Sequence, residues 1–442
     1  MISRKLPAVS NLKSLAVTLV LSLPIIGAAE VRNFSNPSTQ TAKPQVLVFS
    51  DGGDDRTFGR AATDAAGNLY IPAQLGAPHL TNSFGVIKYN PQGKLVGEFH
   101  FHPKTLGNGF AQDVKVDDAG NDYACGFTFP FGGLVISFDP SGKTRWMRII
   151  GNDRLSSMVF DQSGNLYAGG DSAGHMLVAK LTTAGKLLWR RQHQGATTAG
   201  AAVTSVQLDS KGNLVVVGAT SNSGFLLDTT VLKLDPQGHI LLTQDFGEGP
   251  GFNSVPLGAA LDHNDGIYAT GTALNTFTGE AIPYTLKYDT NGNRQFVLTG
   301  AGNGGLAISV DPAGDIVLHG STLIQGTPVP TVSAIDPTGT AIFVTEITTS
   351  GALTVDSQGN IYVSGSSNTV EFQVVKLNSR GTVLSTVNQP VPTFQSIQGI
   401  SDSILDPFGN LLVTGFGLPK GAGLDDILVL KLPTSSKSAA NQ

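Results

Sequence analysis

The sequence predicts an all-β protein: an eight-bladed β-propeller of four-stranded antiparallel blades, closed by an N-terminal strand that completes the last blade. Three observations predict it. A short turn phrase recurs every 44 to 53 residues, strand-like segments alone fill the space between copies, and the ends of the chain carry complementary strand counts. Composition agrees. Among 442 residues there are 54 glycines, and charged residues make up 14%, well below the roughly 25% usual in globular proteins. Many glycines with abundant Val, Thr and Ser suit short strands and tight turns better than long amphipathic helices.

The phrase is Asp, two residues, Gly, then Asn or Asp. It begins at Asp64, Asp117, Asp161, Asp209, Asp311, Asp356 and Asp406, and an eighth copy at Asp262 carries Asp265-Gly266 in place of Gly-Asn. Asp at the first position of a type I turn and Gly at the fourth specify a tight hairpin, because the Gly is free to take positive φ. Calcium binding is the rival reading, yet the phrase supplies too few ligands compared with a twelve-residue calcium loop. A structural role for these aspartates is expected.

Each period then resolves into four strands. In the fourth unit "SVQLD" precedes the turn and "NLVVVGAT" follows it; a variable loop leads to "TVLKLD", and a second turn to "HILLTQDF". That second turn repeats its glycine at Gly93, Gly142, Gly185, Gly238, Gly292, Gly339 and Gly381. Trp146 and Trp189 fall at matching places in the fourth strands of neighbouring units, which points to a structural use. The last unit stops after three strands, whereas "PQVLVF" at residues 44–49 is one strand to spare. Pairing the two closes the ring and removes an exposed edge. A seven-bladed ring is the other reading, if the divergent unit at Asp262 merges with its neighbour.

Residues 1–29 read as a secretory signal peptide: Arg4, Lys5 and Lys13, then "LAVTLVLSLPIIG", then small residues at Gly27 and Ala29. An uncleaved anchor is the alternative. Residues 30–433 form the propeller domain and 434–442 a polar tail expected to be disordered. With Cys125 alone there is neither an internal disulfide nor a lipid-anchoring cysteine at the cleavage point. Removing the leader moves the formal charge from −5 to −8. An acidic, charge-poor chain offers no footprint for nucleic acid. The expectation is a bacterial periplasmic or extracellular monomer with no membrane span in the mature chain.

The segments "GNLVVVGATSNSGF" and "GNIYVSGSSN" resemble the secreted bacterial beta-propeller repeat family, whose units run Asp, Gly-Asn, a short strand, then Gly and Thr or Ser. The resemblance covers about residues 55–432 and implies an extracytoplasmic binding or scaffold role without naming a ligand. The units are more distantly similar to NHL repeats, but lack the Asp, Asn and Arg-Ile usual after the strand. Gluconolactonase-like enzymes share the shape, yet their metal-binding set has no clear equivalent here.

In such a ring the short hairpins open on one face, and the second-to-third loops and blade connections on the other. The second face carries "LGAPHLTNS", "FTFPFGG", "FGEGPGFNSVPLG", "TALNTFTGEAIP" and "NQPVPTFQSIQGIS", so it is the expected binding face. Its candidate ligand-binding residues are Asp54, Asp55, Arg56, His100, His102, Phe129, Asp153, Arg154, His193 and Glu248. The histidines suit a transition metal, but no ligand spacing supports one, and no metal or cofactor is predicted. Phe129, between Phe127 and Phe131, suits a platform for sugars or apolar polymers; packing between blades is its plain alternative. No nucleophile elbow, phosphate-cradling loop or zinc-spaced set occurs. The expected function is a binding or interaction scaffold for a protein, glycan or surface polymer. The alternative is a hydrolase or lyase acting on a carbohydrate or lactone in the central channel.

Overall fold

The turn phrase folds as its chemistry requires. In the fourth unit the Gly212 N–H donates to the Asp209 carbonyl and the Asp209 N–H to the Asn213 carbonyl, closing the hairpin. The Asp209 carboxylate accepts the Lys211 and Asn213 N–H groups and the Asn213 side-chain amide. Gly212 lies at φ 78°, where a side chain would be strained. In the fifth unit Asp265 takes that place at φ 60°. Its carboxylate accepts the N–H and hydroxyl of Ser210 in the preceding blade, which offsets the strain.

The computed structural model describes residues 43–76, 82–101, 108–300, 302–324, 327–367 and 370–434, all within the unit Asn36–Gln442. They form eight separate four-stranded antiparallel sheets. First strands of successive sheets pack against each other, which places them innermost around the ring. The eighth sheet runs Phe394–Leu405, Asn410–Pro419, Asp426–Pro433 and then Gln45–Phe49. The last pair is in register from Gln45 opposite Lys431 to Phe49 opposite Ile427. The strand exchange is therefore present. The divergent unit keeps its own sheet, from Phe252–Leu261 to Arg294–Thr299, so the ring has eight blades and not seven.

Apolar clusters lie between the blades rather than within them. Among the described residues there are eight, one at each junction. At the closing junction Phe49, Ile427 and Val429 pack with Leu69, Ile71 and Tyr89 of the first blade, making a core like the other seven. Polar pins join the same neighbours. The Trp146 and Trp189 indole N–H groups donate to Thr183 and Pro236 carbonyls of the next blade. Lys233 pairs with Asp209 at 2.8 Å and reaches the Thr290 carbonyl. Lys431 crosses the closing junction to the Pro91 carbonyl at 2.6 Å. The outer strand of each of the first seven blades is bulged just after its turn, which blunts the exposed edge.

Four segments read from sequence as long loops are mostly strand: the turns of "FTFPFGG" and "TALNTFTGEAIP" shrink to residues 129–131 and 276–280, and the two blade connections are shortened by bulged strands. Phe252–Leu261 and Phe394–Leu405 absorb them through bulges at Pro256/Gly258 and at three places between Phe394 and Asp402. The connections that remain are residues 247–251 and 391–393.

Asp122 departs from the repeat. After the turn Asn or its equivalent, the other blades place Leu69, Leu166, Leu214, Ile267, Ile316, Ile361 and Leu411. Asp122 is as buried as they are, and desolvation pushes its carboxyl up to about 8. Asp122→Leu is expected to raise stability at pH 7 by about 1–3 kcal/mol, the cost of burying a poorly solvated polar group. Urea unfolding checks this, and an unchanged midpoint would remove the desolvation argument. Phe49→Ala is expected to cost about 3–5 kcal/mol, as truncation of a core phenylalanine does; a loss under about 1 kcal/mol would show that the closing strand contributes little.

Candidate functional site

Antiparallel order puts the second-to-third turns and the blade connections at the same end of every sheet. That end is the variable face, and the candidate residues are dispersed around it. Asp54, Asp55 and Arg56 follow the closing strand and clasp the first blade to the eighth. Asp55 is fully buried; it accepts the Asp51 and Gly76 N–H groups, and its own N–H donates to the Asp425 carbonyl. Arg56 pairs with Asp54 at 3.1 Å and Asp425 at 2.9 Å. Desolvation, aided by the adjacent Asp51 carboxylate, pushes Asp55 up to about 7.

The other candidates serve separate local structures. His100 lies on an outer strand, between Ser83 and Glu98; His102 falls outside the described residues. Asp153 accepts the Ala173 N–H, and Arg154 pairs with Asp171 at 3.2 Å, where desolvation raises the Asp171 carboxyl to about 6. His193 ends the outer strand of the third blade opposite Met176, and burial lowers its pKa. The Glu248 N–H donates to Ser254. Phe129 stands alone among the candidates as an exposed aromatic, 63% accessible at the tip of its turn.

Side chains of the innermost strands tie blades to one another. The Arg60 guanidinium reaches from the first blade to the Ser156 and Thr204 carbonyls of the third and fourth, at 3.3 and 2.7 Å. Asp113 is held by Lys115 and the Met158 N–H, and Asp402 by the Ala61 and Ser403 N–H groups. Burial raises Asp402 to about 6. His319 contacts Ser350 at 3.2 Å, with its other ring nitrogen on the Thr331 carbonyl. It also accepts the Gly351 N–H, as Thr270 accepts the Gly305 N–H one blade earlier. The pair thus anchors an entering strand. Away from the channel, two cavities of about 20 and 10 Å³, at most the room of a water molecule, lie at the seventh–eighth and third–fourth junctions.

What the variable face does present is aromatic. Phe416, Phe58, Phe110 and Phe127 come from three blades and touch in that order, with ring centroids 4.9, 6.5 and 5.1 Å apart. Further round, Phe225 and Phe277 tip the second-to-third turns of the fourth and fifth blades, 72% and 87% exposed, and Leu424 tips that of the eighth. Apart from Phe127, sequence reading passed over these residues. The signal available was a bulky apolar residue inside a Gly/Ser/Asn-rich turn, as in "SNSGF" and "NTFTG".

Fold and site together define a closed eight-bladed β-propeller with one plain and one decorated face. Residues 342–372 match the family model of the beta-propeller repeat, SBBP, a span running from the outer strand of the sixth blade into the third strand of the seventh. Comparison with curated proteins finds no match. Among solved structures, the Dos1 propeller aligns at a TM-score of 0.59 with 10% identity, over 87% of this chain and 94% of that one. The polysaccharide lyase Uly1 aligns at 0.48 with 10% identity, over 88% and 99%. Drosophila Plexin A, solved in complex with Semaphorin 1b, aligns at 0.43 with 8% identity, over 88% and 86%. At these identities the likeness concerns the fold alone. No helix among the described residues is long and apolar enough to cross a membrane.

The clasp has a pH signature. Between the ordinary 3.8 of an unfolded aspartate and about 7, folded Asp55 keeps a proton that the unfolded chain has released. Stability is therefore lost as pH rises through that window. Urea midpoints are expected to fall from pH 5 to pH 8, and the slope to flatten in Asp55→Asn; an equal slope in both proteins would assign it to other groups.

Proposed function

We propose that the chain is an extracytoplasmic interaction propeller, exported by residues 1–29 and acting as a monomer, whose variable face recognises a macromolecular ligand. One observation carries this reading: the turns of that face end in bare apolar side chains, Phe129, Phe225, Phe277 and Leu424, which contribute little to any junction core. Burying such a ring on a partner is worth about 1.5–3 kcal/mol, and rigid aromatic anchors dominate many interfaces. The opposite face ends in hairpins whose polar groups are satisfied internally. Its exposed Phe408 lies against Gly67 of the first blade, so it is in part a junction residue.

Binding is favoured over channel chemistry because the ionisable groups of the channel wall are engaged with one another and with backbone groups. A hydrolase or lyase reading gains no specific support from this wall.

The test compares retention of components of culture medium and cell surface on the immobilised full chain. The combined variant Phe129→Ser, Phe225→Ser, Phe277→Ser, Leu424→Ser is expected to lose saturable binding, whereas Phe408→Ser on the other face keeps it. Equal retention by all three proteins would sink the assignment.

A further inference from the structure

We propose that the sector of the variable face over the fourth and fifth blades docks a polypeptide segment carrying cationic and apolar side chains together. The inference rests on the binding-face reading above and names its ligand class. Phe225 and Phe277 supply the apolar half. Phe225 closes its turn through its N–H to the Asn222 carbonyl at φ 62°, a left-handed conformation that is strained for a residue with a side chain. The ring gains no compensating burial. The fold would be better served by glycine, so both strain and exposure point to a use outside it.

The two tips belong to one surface. Between them runs the connection 247–251. A Cβ on Gly247 would stand 2.5 Å from the Asp228 carboxylate, and one on Gly251 would stand 2.9 Å from the Phe277 ring. The Leu227 N–H donates to Asn253 just beyond, which ties the fourth blade's turn to the strand that follows.

Charge selects the ligand. Around these rings stand Asp228, Asp245, Glu248 and Glu280, and this end of the two blades carries no Lys or Arg among the described residues. Asp228 is held by the Asn222 amide and Asp245 by the Thr230 hydroxyl, neutral donors that leave both charges uncompensated. Burial first, and then the Asp245 charge, raises the Asp228 carboxyl. Elsewhere on the face Arg56 pairs with Asp54 and Asp425 and Arg154 with Asp171, while Lys420 sits in the second-to-third turn of the eighth blade, outside this sector. The resulting field repels anionic polymers and anionic bilayers and leaves a neutral glycan without an electrostatic partner. A segment that alternates Lys or Arg with Leu or Phe satisfies both halves of the sector.

The experiment measures fluorescence anisotropy of three probes on the full chain: an alternating Lys-Leu peptide, its Glu-Leu counterpart, and a labelled neutral oligosaccharide. The Lys-Leu peptide is expected to bind and the Glu-Leu peptide not. Its affinity is expected to fall about tenfold or more between about 0.05 and about 0.5 M sodium chloride. Phe225→Gly with Phe277→Ser, and separately Asp245→Asn with Glu248→Gln and Glu280→Gln, are each expected to weaken it about tenfold; Phe408→Ser, on the opposite face, is expected to stay within about twofold. Phe225→Gly relieves the turn, so an unchanged or raised melting temperature confirms that the fold is kept. Peptide binding that ignores both sets of substitutions overturns the proposal. So does oligosaccharide binding at these phenylalanines without peptide binding, an outcome that leaves the binding-face reading intact. Failure of the four-residue tip variant to alter any recognition overturns both.

Discussion

Each blade hangs on one carboxylate at its inner corner. The turn aspartate accepts two backbone N–H groups, or one at Asp64, and most copies add further donors: the Asn side chain at Asp64, Asp117, Asp161, Asp209, Asp356 and Asp406, and a tyrosine hydroxyl at Asp64, Asp117, Asp262 and Asp356. A third-strand lysine then closes on Asp161, Asp209, Asp262 and Asp406. So many donors hold Asp117, Asp161, Asp209, Asp262 and Asp356 below the usual carboxylate range although burial alone would raise them. The same lysines reach into the next blade at Lys233, Lys287 and Lys431, so the corner sets the spacing between blades as well as the hairpin. The sixth blade, with Val317 and Ala334 at the tyrosine and lysine places, keeps only the turn donors from Ala313 and Asp315.

This constraint explains why the two faces differ. Hairpins at the corner end cannot vary without losing the donors that hold their aspartate. At the far end no such demand exists, because a turn there need only return the chain into register. Sequence freedom is therefore confined to one side of the ring, and bulky residues such as Phe225 and Phe277 accumulate where they cost the junction cores nothing. Arg60, bridging three blades across the channel, stiffens the base from which those turns project.

The blade census and its closure were legible because both follow from counting a local signal. Eight aspartates mark eight corners, and a spare leading strand matches a missing trailing one. The roles of Asp55 and Arg56 were not legible, since they depend on Gly76 and on Asp425, far off in the chain and brought near by the ring. Nor was the Phe58, Phe110, Phe416 contact, assembled from three blades. Loop lengths were overestimated around Phe252–Leu261 and Phe394–Leu405 because a bulged strand, with its broken alternation, reads like a loop. The decorated side was legible from loop variability, but the residues on it were chosen for charge and ring nitrogens. The structure spends most of those charges on holding the chain together.

The closing strand, finally, sets an order of events. Gln45–Phe49 is among the first segments of the ring to be synthesised, and its partner Ile427–Lys431 is nearly the last. Until both exist, the early strand has nothing to pair with and the eighth sheet ends in a bare three-stranded margin. Bringing them together closes the longest loop in the chain, a step whose entropic cost grows only slowly with length but whose search is slow. Two molecules caught at that stage hold matching halves of the same joint, so ring assembly competes with intermolecular strand trading, and dilution favours the closed monomer.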